Sequence, residues 1–184
     1  MRSELLGTDT VNWYQTVFEV IDMRSFSNLW FWIVLAVVWS SASHWVLGVP
    51  YDTVLRAKNK GGQPEIDMRD MVRINVNRLL YVRDVSGLWM LGGGCFLLST
   101  LAGLGFYYDL EFAQAVFLLM FPMSIVGLMS LFTASYIRAE GYVSDKLYAY
   151  LWRHRFATQL IGIVSIFVTS MWGMYKNLHL SSIN

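Results

Sequence analysis

Four stretches of this chain, residues 29–49, 87–107, 111–136 and 156–175, are each apolar over the roughly 20 residues needed to cross the hydrocarbon core of a bilayer. No other feature constrains the fold as strongly. Backbone polar groups inside lipid must be satisfied within the chain, so the spans are expected to be helices. The composition agrees, with 55% hydrophobic residues, 15% charged residues and a mean hydropathy of +0.43. The first apolar run starts too late and is too long for a cleavable signal peptide, and no basic leader with a small-residue cleavage site precedes it. The expected fold is all-α: one integral membrane domain over residues 1–184, with four transmembrane helices, an N-terminal amphipathic helix and a cytoplasmic interfacial helix.

Basic residues in short loops orient such a chain, because Lys and Arg resist translocation. Arg56, Lys58, Lys60, Arg69, Arg73, Arg78 and Arg83 lie between spans one and two, and Arg138, Lys146, Arg153 and Arg155 between spans three and four. Only Arg2, Arg24 and Lys176 lie on the other side. This bias predicts a multi-pass protein of a bacterial inner membrane with both termini periplasmic. Trp30 and Trp32 then mark one interface and Trp45 the other.

Two further segments have helical periodicity. In residues 10–23, "TVNWYQTVFEVIDM", Trp13, Val17, Val20 and Ile21 share one face, as in a helix lying along a surface. In the basic loop, "EIDMRDMVRINVNRLLYVRD" sets Met68, Met71, Val72, Val76 and Leu79 on one side. The favoured reading is a helix on the lipid surface, with Arg69, Arg73, Arg78 and Arg83, joined by Arg153 and Arg155, reaching phosphate headgroups. Burial in a partner's groove would give the same pattern. Upstream, the Gly pair and Pro of "NKGGQP" predict a chain reversal.

Small residues recur at helical spacing in two spans: Cys95, Ser99 and Gly103 in the second, and Ser165, Thr169 and Gly173 in the fourth. Such ladders let backbones approach closely in lipid, although Gly and Ser are also common in membrane helices that face nothing in particular. The run Gly92, Gly93, Gly94 weakens a helix, and a very close neighbour is the favoured reason for it. Pro122 predicts a bend in the third span, with Ser124 near enough to satisfy a freed carbonyl.

The candidates for a chemical role are His44 and His154. A membrane haem needs two imidazoles facing each other at one depth. Both histidines fall near the cytoplasmic side, but His154 stands between Arg153 and Arg155 in "YLWRHRF", as in the headgroup region, whereas His44 lies somewhat inside its span. An interfacial, hydrogen-bonded histidine is the leading reading of His44, with haem ligation and a quinone or proton role as alternatives. The only cysteine is Cys95, which leaves no internal disulfide, no CxxC pair and no cysteine-ligated zinc or iron-sulfur centre. No nucleophile triad, phosphate loop or intramembrane carboxylate pair is present, and the scarcity of ionisable groups in the spans argues against transport.

Residues 11–52, "VNWYQTVFEVIDMRSFSNLWFWIVLAVVWSSASHWVLGVPYD", resemble the opening of a family of small uncharacterised membrane proteins of photosynthetic and marine alphaproteobacteria. Some members are labelled a component of the SufBCD complex, which assembles iron-sulfur clusters. The similarity is clear over the N-terminal third and looser beyond it. It implies an inner-membrane location and supplies no catalytic residues.

The expected function is a noncatalytic accessory or assembly subunit. A haem- or quinone-linked redox protein using His44, and a lipid-binding or small transporter protein, are the alternatives. The expected partners are the bilayer and a membrane protein or a second copy of the chain, without nucleic acid. No cofactor and no metal are expected.

Overall fold

The computed structural model describes residues 25–142 and 146–181. The N-terminal amphipathic segment at residues 10–23 lies outside the described residues. A single 3-10 turn, Ser25–Ser27, leads into α1 (Leu29–His44). Asn28 caps α1 by accepting the Trp30 N–H at 3.0 Å, which satisfies one of the donors a helix start leaves open.

The first apolar run does not continue as helix to residue 49. Leu47 and Gly48 both take positive φ, 50° and 75°, as the two central residues of a type I′ hairpin turn do. They join β1 (Trp45–Val46) to β2 (Val49–Pro50), paired antiparallel with Trp45 opposite Pro50. The turn is tied down because Asn75 Nδ2 donates to the Gly48 carbonyl at 3.0 Å. At 16 residues, α1 is about 24 Å long, short of the hydrocarbon thickness of about 30 Å.

Next come α2 (Tyr51–Lys60) and α3 (Gln63–Ala102). Between them Gly61 and Gly62 both have φ of 58°, and Pro64 sits in the first turn of α3, so the predicted reversal occurs where expected. The expected interfacial helix is not a separate element. It is the first half of α3, whose 40 residues extend about 60 Å, roughly twice the hydrocarbon thickness. A π-helical turn, Gly103–Tyr107, closes α3 and a tight turn at Asp109 leads into α4 (Glu111–Glu140) and α5 (Lys146–Ser181).

Among the described residues the regular structure is all helical apart from one small hairpin, and the chain is a membrane protein. Gln63–Tyr107, Glu111–Glu140 and Lys146–Leu178 are long and apolar enough to cross a bilayer, and α1 is a shorter apolar helix beside them. The α1 helix runs antiparallel to α5, with Phe26 and Trp32 against Gly173 at one end and Trp39 against Gly162 at the other.

Two cores hold these helices. The larger lies outside the most apolar windows, where Met68, Val72, Val76 and Leu80 recur every fourth residue on α3 and are all fully buried. They pack with Val46 and Val49 of the hairpin, Val54 and Ala57 of α2, Ile137 of α4, and Leu147 and Leu151 of α5. The apolar stripe assigned to the lipid surface is therefore the centre of a protein core, and Met71 falls outside it at 41% exposure. The smaller core gathers Leu35 and Trp39 of α1, Val126 of α4 and their partly buried neighbours.

Candidate functional site

One polar site inside the helical bundle centres on His154. Helix α5 exposes Arg153 but turns His154 toward α4, leaving it 5% exposed. Its Nε2 lies 2.9 Å from the Ser130 hydroxyl. That hydroxyl also lies 2.8 Å from the Val126 carbonyl. It has one proton to give, so the imidazole tautomer sets whether Ser130 accepts from or donates to His154 Nε2. Nδ1 is buried and has no hydrogen-bond partner among the described residues.

The ring lines a groove of about 690 Å³ between α4 and α5, which Phe132, Tyr136, Tyr150 and Arg153 also line. Tyr136 and Tyr150 stack with an interplanar angle of 10°. A second compartment of about 380 Å³, whose mostly apolar lining includes Pro122, Val168 and the hydroxyl-bearing Ser165, shares Ile125 with the first. Ser124, beside Pro122, donates to the Phe121 carbonyl at 2.6 Å.

His44 is elsewhere in character. Its side chain is 56% exposed, its Nε2 stands 3.9 Å from Asp52, and its ring meets Trp45 edge-on. The structure therefore gives the two histidines different partners. Among the described residues no cluster of three or more His, Cys, Asp or Glu could hold a metal ion.

The predicted packing ladders separate. Ser165, Thr169 and Gly173 of α5 are all buried, and a Cβ on Gly173 would lie 3.3 Å from Phe26. Cys95 and Ser99 of α3 are exposed. Gly92, Gly93, Gly94 and Gly103 have nothing within 4 Å of where a Cβ would stand, so the close neighbour expected at the glycine run is not supplied by the described part of this chain. All ten residues from 88 to 97 are exposed, which is nearly three turns bare on every side.

The six arginines assigned to headgroups have varied surroundings. Arg69 pairs with Glu65 at 2.7 Å and Arg73 with Asp70 at 3.1 Å. Arg83 reaches both Asp84 and the Ser135 hydroxyl, and Arg155 lies 3.8 Å over the Tyr51 ring. Arg78 and Arg153 are exposed.

Sequence reasoning missed a second polar cluster. Gln114, fully buried, accepts the Trp172 indole N–H at 2.9 Å and donates to the Gly105 carbonyl at 2.7 Å and to Asp109 at 2.9 Å. Lys176 also bonds Asp109. The signal was available, since an amide three residues inside a span must find partners. Gly105 permits the arrangement, because a Cβ there would stand 2.9 Å from the Gln114 backbone nitrogen. The cluster latches the π turn, α4 and α5 together.

No family model, curated protein or solved structure matches the chain.

Proposed function

We propose that this protein is a noncatalytic accessory or assembly subunit of a bacterial inner-membrane complex. One observation carries the reading: the described residues leave the middle of α3, an apolar helix, bare on all sides, with Leu88, Trp89 and Phe96 exposed by 83%, 84% and 74% around three glycines. Close helix packing in lipid relies on small residues that let backbones approach, and here the small residues have no neighbour in the described chain. A transmembrane helix of a partner protein fits this segment. The resemblance of residues 11–52 to small alphaproteobacterial membrane proteins supports the same membrane and compartment.

Gly93→Leu tests the reading, because it adds bulk where the chain itself has room. The variant should fold and remain monodisperse in mild detergent yet lose a partner that co-purifies stoichiometrically with the wild type. Retention of that partner at full stoichiometry would refute the reading. The basic-residue bias supports both termini being periplasmic. A reporter active only in the cytoplasm should then work near Lys60 and be silent at Asn184.

A further inference from the structure

We infer that one face of α3 is the seam of a parallel, two-stranded coiled coil with α3 of a second copy of this chain. The inference goes beyond the accessory role proposed above, and three observations converge on it. The first is a period. On the side of α3 away from the buried Met68, Val72, Val76 and Leu80, the exposed Met71, Ile74, Tyr81 and Val85 follow one another at alternating steps of three and four, with the exposed Arg78 filling the one gap. The same steps lead on to Leu88, Gly92, Cys95 and Ser99, all of them exposed. This is a heptad repeat sustained four times, with Val85 and Gly92 among its a positions and Leu88 and Cys95 among its d positions, along a helix unbroken to Ala102. The second observation is where the stripe starts. Asp70, Arg73, Arg83 and Asp84 keep the first half of α3 out of hydrocarbon, so lipid does not cover Met71, Ile74 and Tyr81, which are 41%, 61% and 68% exposed.

The third observation selects the occupant. A helix that covers the whole seam has to cross the membrane and then run on for about 20 Å beyond Asp84, to the level of Met71, with an apolar stripe at matching depth. A second copy meets that demand, because every copy of a membrane protein inserts with the same topology and a two-fold axis along the membrane normal sets each seam residue against its own counterpart. The flanks agree. In a parallel pair Asp70 stands against Asn75 of the copy, Asn77 against Val82 and Asp84 against Trp89, so no flanking pair sets like charges together. Arg78 meets its own counterpart, which costs stability and fixes the register, as a polar residue at a single a position does. A β-branched a residue beside a d leucine, here Val85 and Leu88, favours two strands. From Met71 to Ala102 the strip is about 47 Å long and about 11 Å wide, so two copies bury about 1,000 Å², the size a specific interface needs. Gly93 lies about 100° around the helix from Gly92 and outside the seam, so the second copy and the partner tested by Gly93→Leu occupy separate faces.

Oxidative cross-linking of the full chain in native membranes tests the seam, with copper phenanthroline as the oxidant and non-reducing gels as the readout. A disulfide needs Cα atoms within about 7 Å, which the d positions of a parallel pair provide along their shared axis. Wild-type protein carries its own probe, because Cys95 is the only cysteine and holds a d position. It should link into a dimer without any substitution, so the test does not depend on a variant that folds. In the Cys95→Ser background, Ile74→Cys, Tyr81→Cys and Leu88→Cys should each link roughly tenfold faster than Met90→Cys and Leu97→Cys, two exposed positions on the far side of the helix. Equal rates at the seam and the far side would mean random collision and would overturn the inference. Links at Cys95 and Leu88→Cys without links at Ile74→Cys and Tyr81→Cys would do the same, since the pairing runs the length of the seam. A different protein seated there would leave every seam cysteine unlinked, Cys95 included, and that result also overturns it.

Discussion

Replacing Gly162 with Val should destabilise the protein, and the same replacement at Gly92 should not. A Cβ at Gly162 would stand 2.8 Å from Trp39 Cε3 and 3.2 Å from Cδ2, well inside ordinary contact. The indole has little room to withdraw. It is 4% exposed and belongs to the core formed with Leu35 and Val126, against which Met123 and Ile161 also pack. Valine adds two methyl groups beyond the Cβ, so α1 has to move away from α5 or Trp39 has to leave its rotamer. Forcing extra carbons into a packed core typically costs about 1–3 kcal/mol. At Gly92 nothing lies within 4 Å, so the backbone and side-chain effects of Val are present there without the collision. The measurement is unfolding of the purified protein in mixed micelles by a graded denaturing detergent, followed by tryptophan fluorescence. Gly162→Val should show the lower midpoint by an amount equivalent to about 1–3 kcal/mol, and Trp39→Phe in the same chain should recover part of it. Equal midpoints for the two valine variants would refute the packing of α1 on α5 at this point.

Gln114→Leu should lower the same midpoint, because it strands the Trp172 N–H and the Gly105 carbonyl at about 1–3 kcal/mol for each buried group left unsatisfied; an unchanged midpoint would mean that water or lipid headgroups replace the amide. His44→Gln should fold and assemble as the wild type does, since the imidazole is exposed and 3.9 Å from its nearest carboxylate; loss of a bound chromophore or of assembly at normal expression would instead give this histidine a chemical role.

Hydropathy was enough to make this chain a helical membrane protein, because desolvating a backbone in lipid leaves so few alternatives that about 20 apolar residues decide the matter locally. The reversal at Gly61 and Gly62 was equally legible, since two successive positive φ values suit glycine and little else. What covers each apolar face was not legible. Val46, Leu47 and Val49 read as the end of a span, yet they turn in a hairpin and enter a protein core. A hydropathy scale scores their transfer out of water without distinguishing lipid from the side chains of α2 and α3. The stripe on α3 shows the same limit: its four-residue period declares a buried face and is silent about the occupant.

The small-residue ladders differ for a related reason. Ser165, Thr169 and Gly173 share their spacing with Cys95, Ser99 and Gly103, but the first set is buried, with Phe26 and Trp32 against Gly173, and the described chain leaves the second bare. Spacing belongs to one helix, whereas contact depends on how two helices dock. His154 makes the point at a single residue. Its neighbours Arg153 and Arg155 suggested a headgroup position, but successive residues on a helix diverge by about 100°, so a side chain between two arginines can face a different surface from either. Only the placement of α4 decided that this surface carries Ser130 and a groove. Sequence alone determined the solvent, because burial in lipid is a sum over local residues; tertiary structure determined the site, because a hydrogen bond depends on the relative position of residues 24 apart in the chain.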